Sequence, residues 1–418
     1  MLNETRLFIQ GGNPLQGDVT ASGAKNAALP ILAASILTQG HFTIKNIPPL
    51  MDVTIMLKML NALGLRAELS ANQQVHIWND RKIRHIAPYE LVTAMRASFF
   101  VAGPILARTG FAKVPLPGGC AIGTRPLDIH LKGFKSMGVE VSIEHGFVQM
   151  MTQSLKGNRI YMDFPSVGAT ENIMMAATLA EGTTIIENAA QEPEIVDLAN
   201  FLNHSGAKIE GAGSSTITIE GVPKLIGRDY SVIPDRVEVG TLMIAAAVTK
   251  GDVFIKGAIP DHIEPLIRKL KESGAEVDIN DAGIRVAASE SLSSVDIETL
   301  PFPGFPTDMQ AQLMALLTLA NGDSSISEAI FENRFMHVPE LNRMGANIQI
   351  KEGVAHIYGV SQLSGAEVKI TDLRAGAALI LAGLAAAQTT TVHGLRHLYR
   401  GYYGLPEKLA ALGANIVR

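Results

Sequence analysis

The stretch PLPGGCAIGTRPLDIH, residues 115–130, holds the chain's only cysteine, Cys120, among Gly118, Gly119 and Gly123, with Arg125 five residues on. A lone cysteine has three chemical readings. It is an inert buried filler, a nucleophile, or a general acid whose thiol is shifted downward by neighbouring cations. The glycines favour a tight loop over a core position, and the nucleophile lacks an evident base, His130 being the one histidine nearby. Fixed positive charge is spread along the rest of the chain as Lys25, Arg96, Arg334, Arg374 and Arg400, each beside small residues or a sharp turn. Guanidinium is a planar fork that matches carboxylate and phosphate oxygens. Any one arginine serves equally well as a structural ion pair between two elements, so the set is informative where its members are not.

Three further residues carry open alternatives. Lys25 follows SGA and starts an apolar run, where a helix dipole disfavours a cation; it is either a surface lysine or a group that requires an anion. Asn26 beside it is a cap or a partner for a sugar hydroxyl. Asp308 ends the proline-rich FPGFPT loop, so it competes with Thr307 to cap the next helix, or it orients or deprotonates a substrate hydroxyl. One cysteine and scattered histidines give no metal-ligand spacing. Neither a GKS or GKT phosphate loop nor a strand-linked GxGxxG is present. No metal and no cofactor are expected.

The elements that must position these groups are repeated. A glycine after a small-residue helical run, followed by a β-like run, occurs at Gly40, Gly110, Gly182, Gly251 and Gly322, with Thr389 in the sixth place, about 70 residues apart. A second marker lies about 24 residues beyond each start, at Gly64, Gly138, Gly206, Gly274, Gly345 and Gly413. It reads as a helix closed by a left-handed glycine and then a strand, as in Leu266, Ile267, Leu270 before Gly274 and Val277, Ile279 after it. Each repeat opens with a more apolar helix, from NAALPILAASIL to RAGAALILAGLAA. Helices this uniformly apolar belong inside, enclosed by sheet. The unit is helix, strand, helix, strand and a further strand, with antiparallel pairing inside it. At the mouths of the inner helices stand Lys25, Arg96, Ser166, Asp235 with Arg236, Asp308 and Arg374. Polar groups there can act with free backbone N–H groups on anions.

At 418 residues the chain exceeds a single core, and six units suggest two lobes of three with a cleft between them. The boundary is expected near residue 230, and residues 1–21 are either a strand completing the second lobe or a plain extension. With 47% hydrophobic and 18% charged residues the composition is that of a well-packed enzyme. The net charge of −5 argues against nucleic-acid binding. A single cysteine forms no internal disulfide, MLNETRLFIQ does not resemble a signal peptide, and residues 375–387 are too short to span a bilayer. These features point to the cytoplasm.

SGAKNAALP, MRAS, PLPGGCAIGTRPLDIH, SVGAT, AEGTTIIENAAQEPEIVD, PDRVEVGT, FPTDMQAQ, ENRFMHVPEL, TDLRAGAALILAG and RGYYG, taken together and in this order, resemble the enolpyruvyl transferases that act on UDP-N-acetylglucosamine. The resemblance implies an α/β fold of two inside-out α/β barrel lobes, each of three repeated units with helices inside and strands outside. Residues 22–230 would form the lobe with the Cys120 loop. Residues 1–21 plus 231–418 would form the lobe with Asp308, Arg334, Arg374 and Arg400. The implied reaction moves the enolpyruvyl group of phosphoenolpyruvate to the 3-hydroxyl of UDP-N-acetylglucosamine, releases phosphate and opens peptidoglycan synthesis for cell-wall growth, shape and division.

By the same resemblance, Lys25, Arg125 and Arg400 hold the phosphate of phosphoenolpyruvate, and Arg334 and Arg374 bind its carboxylate or organise the site. Asn26 and Asp308 meet the acceptor sugar. Arg96, Arg125, Pro126, Leu127, Asp128, Ile129, Ser166, Val167, Gly168 and Ile330 line the nucleotide-sugar site. Cys120 protonates the methylene carbon or forms a phospholactoyl thioketal adduct, and it is the residue that fosfomycin would alkylate. Catalysis would fall to Cys120, Asp308, Lys25 and Arg400, in a monomer without membrane insertion. Phe164 and Tyr403 stand where a basic and an acidic residue are common.

Overall fold

The computed structural model describes residues 6–117, 127–288, 290 and 292–418. They form two compact units, one from Gly23 to Ile233 and one made of the segment up to Ser22 together with Pro234–Arg418. The change of unit therefore falls between Ile233 and Pro234, a few residues beyond the expected 230.

The first unit carries α1 (Lys25–Ala34), α2 (Met51–Leu63), α3 (Tyr89–Ala94), α4 (Ala102–Thr109), α5 (Asp128–Ser136), α6 (Val167–Ala177) and α7 (Pro193–His204). The second carries α8 (Arg236–Val248), α9 (Glu264–Ser273), α10 (Gln310–Leu317), α11 (Val338–Arg343), α12 (Leu373–Ala385) and α13 (Leu405–Ala411). Three helices in each unit are apolar on nearly every side and buried accordingly: α1, α4 and α6, then α8, α10 and α12. The members of the second trio pack on one another. The others are one-sided; α9 buries Leu266, Ile267 and Leu270 and turns Arg268 and Lys271 outward.

Three sheets belong to each unit. In all but the last repeat, the strand after the buried helix pairs antiparallel with the second strand of a following hairpin, as Asp252–Lys256 does with Gly283–Ala287 and that strand with Glu276–Asn280. Alternate residues such as Val253 and Ile255 face the core. In the last repeat a single strand, Asn415–Val417, follows α13 among the described residues. Leu7–Gln10 takes the missing place, antiparallel to both Thr389–His393 and Asn415–Val417, while Gln16–Thr20 runs parallel to Asp252–Lys256. Leu7, Ile9, Leu15 and Val19 thus join the core of the second unit. Lys408 Nζ fixes the segment further through the Thr20 carbonyl, the Ser22 hydroxyl and Glu238 Oε1 at 2.9, 2.7 and 2.8 Å.

The six marker glycines, Gly64, Gly138, Gly206, Gly274, Gly345 and Gly413, all have φ between 83° and 111°. The other marker differs in two repeats. Gly40, Gly110, Gly182 and Gly322 are left-handed, but in the fourth repeat Lys250 takes that conformation at φ 55° and in the sixth Gln388 does at 68°. Gly251 is glycine for a different reason: a Cβ there would lie 2.2 Å from the Leu15 carbonyl oxygen, in the N-terminal segment.

Candidate active site

In the second unit the polar residues at helix mouths form one buried cluster. Asp308 lies in a 3-10 turn, Thr307–Met309, ahead of α10. The cap reading is corrected here: no side chain caps this turn or α10. The carboxylate is taken instead by two arginines, Oδ1 by Arg334 Nη2 at 2.5 Å and Oδ2 by Arg374 Nη2 at 2.8 Å. Both guanidiniums are buried, with 5% and 4% of their side chains exposed, whereas Asp308 keeps 25%. Burial alone would push the Asp308 carboxyl up, but Arg374 and Arg334 outweigh it and hold the group well below the usual carboxylate range.

The surroundings fix these three groups. Arg374 is the second residue of α12, whose start is capped by Asp372 accepting from Arg374 N and Ala375 N. Its guanidinium lies 5.3 Å from the Tyr402 ring centre. The Tyr402 hydroxyl bonds Thr241 Oγ1 at 2.9 Å and accepts from Gln312 Nε2 at 3.0 Å, and Gln312 Nε2 also donates to the Asp308 carbonyl. Arg334 donates from Nη1 to Thr307 Oγ1 at 2.9 Å, and its carbonyl accepts from Gln310 Nε2. Arg374 Nη1 is buried with no acceptor among the described residues. A buried N–H without a partner is costly, so this edge of the guanidinium is suited to an incoming anion. Arg400 is half-buried in the turn Leu398–Arg400, two residues before Tyr402. Ile330 N donates to Glu328 Oε1 at the turn leading to Arg334.

In the first unit, Lys25 opens α1 and is 7% exposed, so it is not a surface lysine. The anion its position requires is Asp52, in the first turn of α2, with Nζ to Oδ2 3.2 Å. Asn26 is half-buried beside it. A second group gathers at the start of α6. Ser166 caps that helix by accepting from Ala169 N, and Val167 and Gly168 follow. A Cβ on Gly168 would stand 3.4 Å from Phe100 and 3.5 Å from His130, so the 3-10 turn that begins at Arg96 and the first turn of α5 meet here. Leu127, Asp128 and Ile129 lead into His130. Its ring makes a 3.3 Å contact from Nδ1 to Asn172 Nδ2, and burial, reinforced by Arg96, lowers its pKa to about 3. The imidazole is therefore neutral at pH 7. Cys120, Arg125 and Pro126 lie outside the described residues.

The structure thus brings Asp308, Arg334 and Arg374 together in one unit, and Arg96, Leu127, Asp128, Ile129, Ser166, Val167 and Gly168 together in the other. Lys25 stands with Asp52. Sequence reasoning passed over Asp52, Thr307's link to Arg334, Gln312, Glu328 and Asn172. Only Asp52, an acid in the first turn of a helix, left a local signal, and nothing in its spacing tied it to Lys25. Phe164 and Tyr403 are both partly exposed, at 43% and 37%. Among the described residues no group of three or more His, Cys, Asp or Glu is placed to hold a metal ion, and no helix is long and apolar enough to cross a membrane.

The family model described as EPSP synthase (3-phosphoshikimate 1-carboxyvinyltransferase) matches residues 9–409. UDP-N-acetylglucosamine 1-carboxyvinyltransferase 1 of Caldanaerobacter subterraneus is 55% identical over 99% of this chain and 100% of its own length. UDP-N-acetylglucosamine 1-carboxyvinyltransferase of Gloeobacter violaceus is 55% identical over 100% of this chain and 91% of its own. Among solved structures, the enolpyruvyl transferase NikO from Streptomyces tendae superposes with a TM-score of 0.88 at 28% identity, covering 99% of this chain and 98% of that one. EPSP synthase from Acinetobacter baumannii, at 20% identity and a TM-score of 0.77, covers 99% of this chain and 100% of that one and shares the α/β fold. With a model match over nearly its whole length and relatives of this identity, the chain belongs to the enolpyruvyl transferase family, among the UDP-N-acetylglucosamine 1-carboxyvinyltransferases.

Proposed function

We propose that this chain transfers the enolpyruvyl group of phosphoenolpyruvate to the 3-hydroxyl of UDP-N-acetylglucosamine, releasing phosphate, as the entry to peptidoglycan. The observation that carries the reading is the 55% identity, over nearly the full length of both chains, with proteins named for that activity. The Asp308, Arg334 and Arg374 cluster supports it by supplying the charge such a reaction needs.

C2 of an enol phosphate accepts a nucleophile only as C3 gains a proton, so an acid and a base must act together. The Cys120 thiol gives its proton to C3 while the sugar oxygen bonds to C2 and passes its own proton to Asp308; the phospholactoyl adduct is the alternative in which the Cys120 sulfur, in place of the sugar oxygen, bonds to C2 as C3 takes the proton. The resulting phospho-ketal loses phosphate from C2 and a proton from C3, leaving the enolpyruvyl ether. Asp308 is too weakly basic to remove that proton from a resting hydroxyl. Its task is to align the hydroxyl and accept the proton as the oxygen becomes positive in the transition state. Lys25, Arg125 and Arg400 hold the phosphate, and Arg334 and Arg374 the carboxylate, for which the orphaned Nη1 of Arg374 is available. Arg96, Arg125, Pro126, Leu127, Asp128, Ile129, Ser166, Val167, Gly168, Asn26 and Ile330 take the nucleotide sugar. Each unit serves as an inside-out α/β barrel lobe, a reading supported by three buried helices and three sheets apiece. The chain acts as a cytoplasmic monomer, and fosfomycin alkylates Cys120.

A coupled phosphate-release assay with phosphoenolpyruvate and UDP-N-acetylglucosamine tests the function; release is expected. The family model's own description favours a second acceptor, shikimate 3-phosphate. Release with that acceptor alone would replace the reading, and release with neither would reduce the chain to a binding protein.

A further inference from the structure

Glu328 ends the strand Asp323–Glu328 and is 8% exposed. Its carboxylate accepts four hydrogen bonds. Oε1 takes the Thr299 hydroxyl at 2.8 Å and the N–H groups of Ile330 and Phe331, both at 3.0 Å. Oε2 takes the Thr307 hydroxyl at 2.9 Å. Thr307 has one hydroxyl hydrogen, and Glu328 claims it, so an Oγ1 lone pair is left for Arg334 Nη1 at 2.9 Å. The direction of donation runs Arg334 to Thr307 to Glu328, while the other terminal nitrogen of Arg334 is on Asp308.

We propose that Glu328 is a positioning residue of this enzyme: through Thr307 it aims the Arg334 guanidinium at Asp308, and through Ile330 and Phe331 it sets the turn that carries Arg334. The proposal rests on the functional reading above for its effect on turnover, but its geometry is independent of it. An acceptor-only group is required at this point. In Glu328→Gln the amide oxygen remains committed to Thr299, Ile330 and Phe331, so the NH2 faces Thr307 and reverses that bond. Thr307 Oγ1 then accepts from both the amide and Arg334, its own hydrogen loses the acceptor that oriented it, and the fixed direction of donation from Arg334 through Thr307 to residue 328 is lost. Thr307→Val breaks the same link with Glu328 intact, and Thr307→Ser preserves it.

The charged and titratable groups around Asp308 are Arg334 and Arg374; Tyr402 and Asp235 act on Arg374, and His337, itself influenced by Asp372, faces Arg334. Glu328→Gln and Thr307→Val are expected to lower kcat by about 10–100-fold, the scale of a misplacement of order 1 Å, and to start the acid-side fall of the pH–rate profile at a higher pH. Thr307→Ser should stay within about threefold of wild type. Unchanged kcat in Thr307→Val, or a loss with an unmoved acid limb and an equally damaged Thr307→Ser, would overturn the proposal. If Glu328→Gln does not fold, Thr307→Val decides alone. A readout without substrate separates this proposal from the functional one. Melting curves of wild type and Thr307→Val are taken from pH 7 downward, each beside its own Asp308→Asn partner. The stability due to Asp308 should vanish at a higher pH in Thr307→Val; coincident curves refute the proposal even in a chain that turns over, and displaced curves sustain it in one that does not.

Discussion

Asp308→Asn is the most informative single change. Asp308 takes one bond from Arg334 and one from Arg374, and hydrogen bonds to charged groups contribute about 1.5–3 kcal/mol each. The carboxylate is 25% exposed, so solvent screening places both toward the lower end. Asparagine keeps one neutral acceptor and turns its NH2 toward the other arginine, leaving a buried guanidinium unpaired. The net loss is about 3 kcal/mol, at the low edge of the range for breaking a buried ion pair. For a domain of this size that lowers the melting temperature by roughly 6–12 °C. The sign with pH follows from the direction of the shift. A carboxyl held below its ordinary value of 3.8 stabilises the fold above that value and stops doing so as pH falls through the folded one. The deficit of Asp308→Asn is therefore complete at pH 7 and closes only well below pH 4. Phosphate release should fall about 10²–10⁴-fold, the usual scale for losing a general base. Scanning calorimetry at several pH values and the coupled assay measure both. A melting point within about 1 °C of wild type at pH 7, a deficit that closes between pH 7 and 5, or undiminished turnover would refute the reasoning.

Four other changes probe different parts of the chain. Glu171 is fully buried on α6 with neither carboxylate oxygen bonded among the described residues, and burial, then Glu194 and Glu192, raise its pKa well above 4.5. Stability should fall as pH rises past 4.5, and Glu171→Gln should melt above wild type at pH 8 with the gap narrowing toward pH 4; parallel curves would contradict this. His130, lowered to about 3 by burial and Arg96, should cost stability as pH falls from 6.5 toward that value, a slope absent in a folded His130→Gln variant. Gly251→Ala should cost about 1–3 kcal/mol and expose the N-terminal segment to limited proteolysis, because its Cβ meets the Leu15 backbone; Gly274→Ala, strained only by its φ of 103°, should leave the segment protected. Cys120→Asp should retain phosphate release and lose fosfomycin labelling by mass spectrometry, whereas full turnover in Cys120→Ala as well would rule out the general-acid role.

The six-fold recurrence was legible because it is local. A glycine at a left-handed helix end and an apolar helix both leave marks within a dozen residues, and Gly64 through Gly413 and the run from Arg374 to Ala385 behaved accordingly. The positions of Lys25, Arg96, Ser166, Asp308 and Arg374 at helix starts followed from the same periodicity. Local pattern failed where a local rule had two equally good outcomes. Asp308 in a proline-rich lead-in could cap or face a site, and only the approach of Arg334 and Arg374, 26 and 66 residues away, chose between them.

Sequence by itself determined the repeat, the identity of the inner helices, the family resemblance and the set of charged groups. Tertiary structure decided which charges meet: Lys25 with Asp52, Asp308 with two arginines, and Thr307 with both Arg334 and Glu328. It also decided that the N-terminal strands complete the sheets of the second unit. The reason is that periodicity is written in neighbouring residues, whereas an ion pair or a strand partner depends on where the folded backbone brings distant residues within about 3 Å, a distance that no spacing along the chain encodes.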